Sequence, residues 1–326
     1  MRRKFSSFAN FLSASSLDTK FYLPVSLKYL TAQNLIRCFY VIIFFLAIKN
    51  LEDWEFYLAK TEIDPLWVIS WLRLAELKIG ITAILWLNLC GGILAVVIPQ
   101  YRISRFIIFL SLLEFYGLRY SFGKIGHGSH LAILISFLLI FLPKGWHLIT
   151  QASRFVKSSV LMIFSACQAM IMLTYTMSAI GKFLYSFVQA YRGEVHALMP
   201  KGLALTVADR LLQTETNSYL GGWIIEHHYI GWLLMLGALY IQFFALWAAF
   251  RPSLHQVWGL ALIGFHISVY LTMTITFEQN CLWLVLFFVY SPFRPKKFNI
   301  LKFLHDLPLF GLLIQKIIKK YSFTVP

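Results

Sequence analysis

Apolar residues in this chain gather into long runs separated by short polar or Gly/Pro-bearing stretches, and the run lengths are those of helices that cross a bilayer. Stretches near the ~20 residues a span requires occur at about 30–48, 79–98, 103–118, 159–181, 230–250 and 256–276. Two shorter runs lie at about 130–142 and 279–291. Each covers roughly 20 Å at ~1.5 Å per residue, short of the ~30 Å hydrocarbon core. They either borrow their polar flanks to span or are re-entrant. With both counted, the pattern predicts an all-α, polytopic transmembrane bundle of about eight spans, its two termini on one side.

The stretches between the runs differ in character. Segment 49–78 is acidic and Trp-rich and predicts an outer loop with an interfacial helix around 65–78. Segment 182–229 exceeds the ~15 residues of a plain connection and is expected to form a cap or a functional loop. Segment 301–320 has too short an apolar run to span, and its lysines predict an amphipathic helix on the anionic inner leaflet. The chain therefore divides into a basic arm at 1–29, a membrane domain at 30–291 and a basic tail at 292–326.

Composition agrees: 59% of the 326 residues are apolar and 13% charged, outside the range of soluble domains. The net charge of +15 raises the question of nucleic acid. However, the basic residues concentrate on one predicted side, in the arm, the loops 99–102, 143–158 and 251–255, and the tail. By the positive-inside rule both termini are then cytoplasmic, no nucleic-acid partner is expected, and the bilayer is the partner the charges address. Cys38, Cys90, Cys167 and Cys281 lie within apolar segments without metal or redox spacing and read as small core residues. The start Met-Arg-Arg-Lys is not followed by an apolar core with a small-residue cleavage site, so no removable signal peptide is expected.

Candidate chemistry lies in the few polar residues of the apolar segments. Arg37 and Glu114 sit at comparable depth in the first and third spans, and a structural ion pair is expected because an unpaired charge there is costly. A proton pathway is the alternative. His127 and His130, at i and i+3 in Ser121–His130, would share a face if that turn is helical and could bind a substrate oxygen, or serve as interfacial residues bonded to carbonyls. No Glu-x-x-His or Cys pair completes a zinc set. His266 lies in an apolar span with Tyr270 one turn onward, and reads as either a core or a functional histidine. Glu278 opens the last segment and could orient a cation. His227 and His228 precede the sixth run as interface residues. Lys182 closes the apolar stretch Ser159–Gly181. It is either an anchor whose amine reaches headgroup water or, beneath a cap and neutral, a general base.

Three stretches together resemble a known family. GHGSHLAILISFLLIFLP, YTMSAIGKFLYSFVQAYRG and GFHISVYLTMTITFEQNCLWLVLFFVYSP are similar in order and spacing, over roughly 30–295, to the horizontally transferred transmembrane (HTTM) domain, which includes the membrane portion of vitamin K-dependent γ-carboxylases. The resemblance implies that Lys182 matches the base acting on a reduced quinone, His130 a histidine near that quinone, and His266 the histidine of a Phe-His motif. Phe187 and Ala190 stand where the family has Trp and Gly. The short tail leaves no room for the domain that binds the carboxylase's protein substrate, so glutamate carboxylation is not expected. What is expected is a bacterial membrane enzyme acting on a quinone or other lipophilic substrate, with Lys182, His130 and His266 catalytic and His127, Tyr270 and Glu278 binding. The alternative is a non-enzymatic subunit or chaperone docking a partner protein through the outer loops. A transporter lacks the visible two-fold repeat of many such folds.

Overall fold

Prolines punctuate the apolar runs, and the helix ends follow them. The computed structural model describes residues 22–123, 126–148 and 152–311, without the side chain of His127. Among these residues it is helical throughout, with no strand beyond an isolated bridge between Tyr22 and Pro295. The main helices are α1 (Val25–Asn50), α2 (Trp54–Leu58), α3 (Leu77–Val97), α4 (Arg102–Tyr120), α5 (His130–Leu139), α6 (Arg154–Tyr191), α7 (Gly202–Thr214), α8 (Gly221–Glu226), α9 (His228–Phe243), α10 (Ala245–Ala249), α11 (His255–Met273), α12 (Glu278–Leu284) and α13 (Ile300–Asp306). Pro99, Pro143, Pro252 and Pro292 follow the ends of α3, α5, α10 and the π turn (Val285–Val289) that extends α12. Proline removes a donor and disfavours helix in the residue before it. Accordingly Ile98 leaves the helical region, at φ −139 and ψ 47.

Four helices, α1, α3, α6 and α11, are long and apolar enough to cross a membrane, consistent with a membrane protein. α5, α9 and the α12–π segment are apolar but shorter. α4 is long but carries Arg102, Arg105, Glu114 and Arg119.

The chain forms two compact units whose boundary falls within α6, Val25–Cys167 and, in the described residues, 22–24 with 168–311. In the first, α3 packs on both α1 and α4. Neighbouring glycines make this possible: a Cβ on Gly91 would lie 2.1 Å from Ser111 Oγ of α4, and one on Gly92 2.6 Å from Ala47 Cβ of α1. Small residues let helix backbones approach where lipid offers no competing hydrophobic drive. Asn50 Nδ2 donates to Asn88 Oδ1 (3.2 Å) across the α1–α3 contact.

After α5 the backbone turns irregularly through 140–148, and its carbonyls are satisfied by side chains. Tyr29, Gln33 and Arg37 form one face of α1 at four-residue spacing. Tyr29 OH donates to the Trp146 and Leu148 carbonyls (2.8 and 2.7 Å), Gln33 Nε2 to Trp146 O (3.0 Å) and Arg37 Nη2 to His147 O (3.0 Å). From α4, buried Arg105 donates to Pro99 O, Gln100 O, Ile140 O and Leu142 O at 2.7–3.3 Å.

The segment between α1 and α3 folds back on α3 and α4. Tyr57 is buried against Phe115 and Phe122, and burial pushes its phenol up to about 12. The helix expected at 65–78 is instead a 3-10 segment, Trp67–Leu74, kinked at Ile69 and broken at Ala75 before α3 begins. It seats Ile69 against Gly117 and Leu72 against Gly80.

In the second unit, Gln168 Nε2 donates to Phe287 O (2.5 Å) in the π turn and to Ser291 Oγ (3.0 Å). His255 pairs its Nδ1 with Ser291 Oγ (2.8 Å) and its Nε2 with Ala249 O (3.0 Å). The segment expected to pass outside the bilayer is organised: α7 packs on α8 and α9, and Leu220 N donates to Leu271 O (2.9 Å). The described part of the tail holds a short helix, with helical residues again at 310–311. Its helix stops at Asp306 before Pro308, and Asp306 docks by accepting from Ser253 Oγ and Trp247 Nε1. Residues 312–320 of the expected amphipathic helix, and 1–21 of the arm, lie outside the described residues. Cys167 is buried as expected, but Cys38 and Cys90 are on exposed helix faces.

Arg105→Met, which keeps length but strips four carbonyls of their donor, is expected to lower stability by about 3 kcal/mol, seen as reduced melting temperature in detergent. Arg73→Met, at an exposed pair with Asp64, is expected to change it little. Gly92→Leu, forcing α3 away from α1, is expected to cost about 1–3 kcal/mol in the same assay.

Candidate functional site

α6 does not stop at Gly181: it runs unbroken to Tyr191, so Lys182 projects from the body of a helix. Its 38 residues extend about 57 Å at 1.5 Å per residue. Tyr175, Ser178 and Lys182 share one face at the i, i+3, i+7 spacing.

Lys182 is half-buried. Its Nζ donates to Gln242 Oε1 (2.7 Å) and to Ser178 Oγ (3.2 Å), and lies 5.9 Å from the centre of the Phe265 ring. Gln242 is buried and sits at the break between α9 and α10. Thr176 stabilises that break: its Oγ accepts from Leu246 N (3.0 Å) and donates to Gln242 O and Phe243 O (3.3 and 3.2 Å). The interrupted helix thus aims a polar side chain at the lysine, and the lysine stem lies along apolar neighbours.

His266, on α11, is 5% exposed. Its Nε2 is 2.7 Å from Tyr175 OH, and its ring packs on Phe277 and Phe265 at centroid distances of 4.8 and 5.2 Å. Its ring and the Lys182 amine both lie against Phe265, 5.2 and 5.9 Å from the centre of that ring. Nδ1 of His266 is buried without a hydrogen-bond partner. Where Tyr175 donates to Nε2, Nδ1 carries the ring proton as a free donor; in the other tautomer Nε2–H donates to Tyr175 and Nδ1 is a free acceptor. Lys182, Tyr175, Gln242 and His266 are therefore an amine, a phenol, an amide and an imidazole gathered within one unit, bordered by aromatic rings.

The other expected residues take varied places. Tyr270 is on α11 one turn beyond His266, partly exposed, with its ring 6.5 Å from Tyr219. Glu278 is exposed in the first turn of α12. His130 begins α5 in the first unit, edge-on to Tyr120 at 5.4 Å. His127 starts the adjoining 3-10 turn, and its side chain lies outside the described residues. His227 stacks on Trp223 (4.8 Å) and His228 packs on Tyr229 (4.4 Å). No cluster of three His, Cys, Asp or Glu residues able to hold a metal occurs among the described residues.

The expected Arg37–Glu114 ion pair is not formed. Arg37 donates to the His147 carbonyl, and Glu114 Oε2 accepts from Trp71 Nε1 (3.0 Å) of the 3-10 segment. Each charge is stabilised by a neutral dipole from a segment whose approach spacing alone does not reveal. Tyr175 and Gln242 were not singled out in the sequence. The seven-residue step from Tyr175 to Lys182 was the available signal for the first, and a lone amide in an apolar run for the second. The chain matches no protein-family model, and comparison with curated proteins and with solved structures gives no match.

Proposed function

We propose that this is an HTTM-like integral membrane enzyme that uses Lys182 as a base toward a reduced quinone or another lipophilic hydroxyl-bearing substrate. The observation that carries the reading is the unpaired, buried Nδ1 of His266, whose ring packs on the same Phe265 that the Lys182 amine approaches. A neutral amine held by Gln242 and Ser178 accepts a proton from an acidic hydroxyl. His266 Nδ1–H then donates to the oxygen charge that develops, with Tyr175 fixing the ring. Phe265, Phe277 and Tyr270 supply the apolar and aromatic surroundings an aromatic substrate requires. In this reading Glu278, in the same unit as Lys182, assists substrate binding. The proposed frame is eight spans with cytoplasmic termini in a bacterial cytoplasmic membrane, α4, α5, α9 with α10, and α12 with its π turn joining the four longest helices.

A second reading has its own support. The cap formed by α7 and α8 exposes Leu212 and Tyr219 almost fully and Trp223 in part, a surface suited to docking a partner protein in a non-enzymatic subunit. The two readings differ on Lys182.

With reduced naphthoquinone supplied to purified protein in detergent, oxygen uptake and quinone products are expected for the wild type. Lys182→Met is expected to lower turnover by about 100-fold or more while leaving the melting temperature nearly unchanged. Absence of turnover in both proteins would favour the docking subunit. For the proposed topology, single cysteines replacing Lys60 and Glu278, in a background without Cys38 and Cys90, are expected to react with an impermeant thiol reagent on intact cells. Labelling only after permeabilisation would invert the topology.

A further inference from the structure

Arg105 draws the loop at 99–101 and the chain after α5 together, and between them lies a cavity of about 710 Å³. It is lined by Tyr101, Arg102, Arg105, Phe141, Lys144 and His147, among others. Three of the lining residues are permanent cations and none is a carboxylate. Like charges gathered around one space repel unless an anion joins them.

Two residues that line this cavity also each hold one buried nitrogen without a partner. Arg105 is 2% exposed, and its two terminal nitrogens are committed to backbone carbonyls, but its Nε has no hydrogen bond. Nδ1 of His147 is likewise buried and unpaired. A buried N–H without an acceptor costs about 1–3 kcal/mol. Phosphate oxygens would supply acceptors for guanidinium and ammonium groups alike. The volume lies within the roughly 300–1,000 Å³ typical of small-molecule sites.

The cavity opens beside an aromatic strip. The Phe141 ring lies 5.9 Å from the Arg102 guanidinium carbon, 5.6 Å from the Phe137 ring, and Phe137 is 5.4 Å from Phe109. Phe141, Phe137 and Phe106 are all substantially exposed. A free phosphate would leave this strip uncovered, whereas an amphiphile fills the cavity with its head and covers the strip with its chain.

We infer that this cavity binds the headgroup phosphate of an anionic phospholipid whose acyl chain lies along the Phe141–Phe137–Phe109 strip. The site lies in the first unit and is independent of any role for Lys182. Arg105 builds its floor, and Arg102 and Lys144, both exposed, are the cations free to close on the phosphate.

The test uses the full chain in detergent, titrated with phosphatidylglycerol, phosphatidylcholine or soluble glycerol phosphate, and read by native mass spectrometry and melting temperature. Phosphatidylglycerol is expected to bind roughly tenfold more tightly than phosphatidylcholine. Arg102→Gln with Lys144→Gln is expected to weaken it by roughly tenfold, and Phe137→Ala to weaken the lipid but not glycerol phosphate. Equal binding of the two lipids to the wild type would overturn the site, even if the double variant does not fold. An unchanged affinity in a folded double variant would do so too. Glycerol phosphate binding as tightly as phosphatidylglycerol would overturn the lipid assignment in favour of a free phosphate ester.

Discussion

The first unit depends on satisfying the carbonyl oxygens of 140–148. In an apolar setting no water replaces a missing donor, so irregular backbone persists only where protein groups reach it. Arg105 meets four carbonyls across two loops, and the Tyr29–Gln33–Arg37 face of α1 meets three more residues of the same turn. This explains how the irregular chain that follows the ten-residue α5 keeps its carbonyls paired, and why α1 carries three polar side chains on one stripe. The same clamp ties together the two segments that wall the cationic cavity.

The second unit solves a similar problem differently. Its π turn frees the Phe287 carbonyl, which Gln168 takes, and Ser291 and His255 carry the hydrogen-bond chain on to Ala249. Gln168 Nε2, Ser291 Oγ and both His255 nitrogens are paired here, which makes them parts of the scaffold, although Gln168 Oε1 is left buried without a partner. The contrast with His266 is informative. One of its nitrogens is fixed by Tyr175 and the other is left open in a ring that shares Phe265 with Lys182, the arrangement expected where a ligand is to supply the missing partner.

Breaks in helices place the chemistry. Gln242 reaches Lys182 because α9 ends at Phe243, and Thr176 supplies hydrogen bonds to the interrupted backbone. The cap of α7 and α8 is tied to the end of α11 through Leu220 and Leu271, near Tyr270 and the turn leading to Phe277. The α7–α8 pair, Lys182 and His266 thus belong to one folded unit.

The sequence by itself determined the helical class, the positions of the long apolar runs and most helix ends, because run length and proline act within a few residues of where they occur. It also marked Lys182 and His266, whose polarity stands out against apolar neighbours. It did not determine that α6 continues past Gly181, since neither Gly181 nor Lys182 compels a helix to stop. Nor did it determine the partners of Arg37 and Glu114: equal depth suggested each other, whereas a carbonyl 110 residues away and a loop tryptophan 43 residues away lay closer. Those pairings, the Tyr175–His266 bond and the approach of Gln242 to Lys182 were decided only by tertiary structure. A buried polar group takes whichever donor or acceptor the packed chain brings to it, and no local pattern encodes that choice.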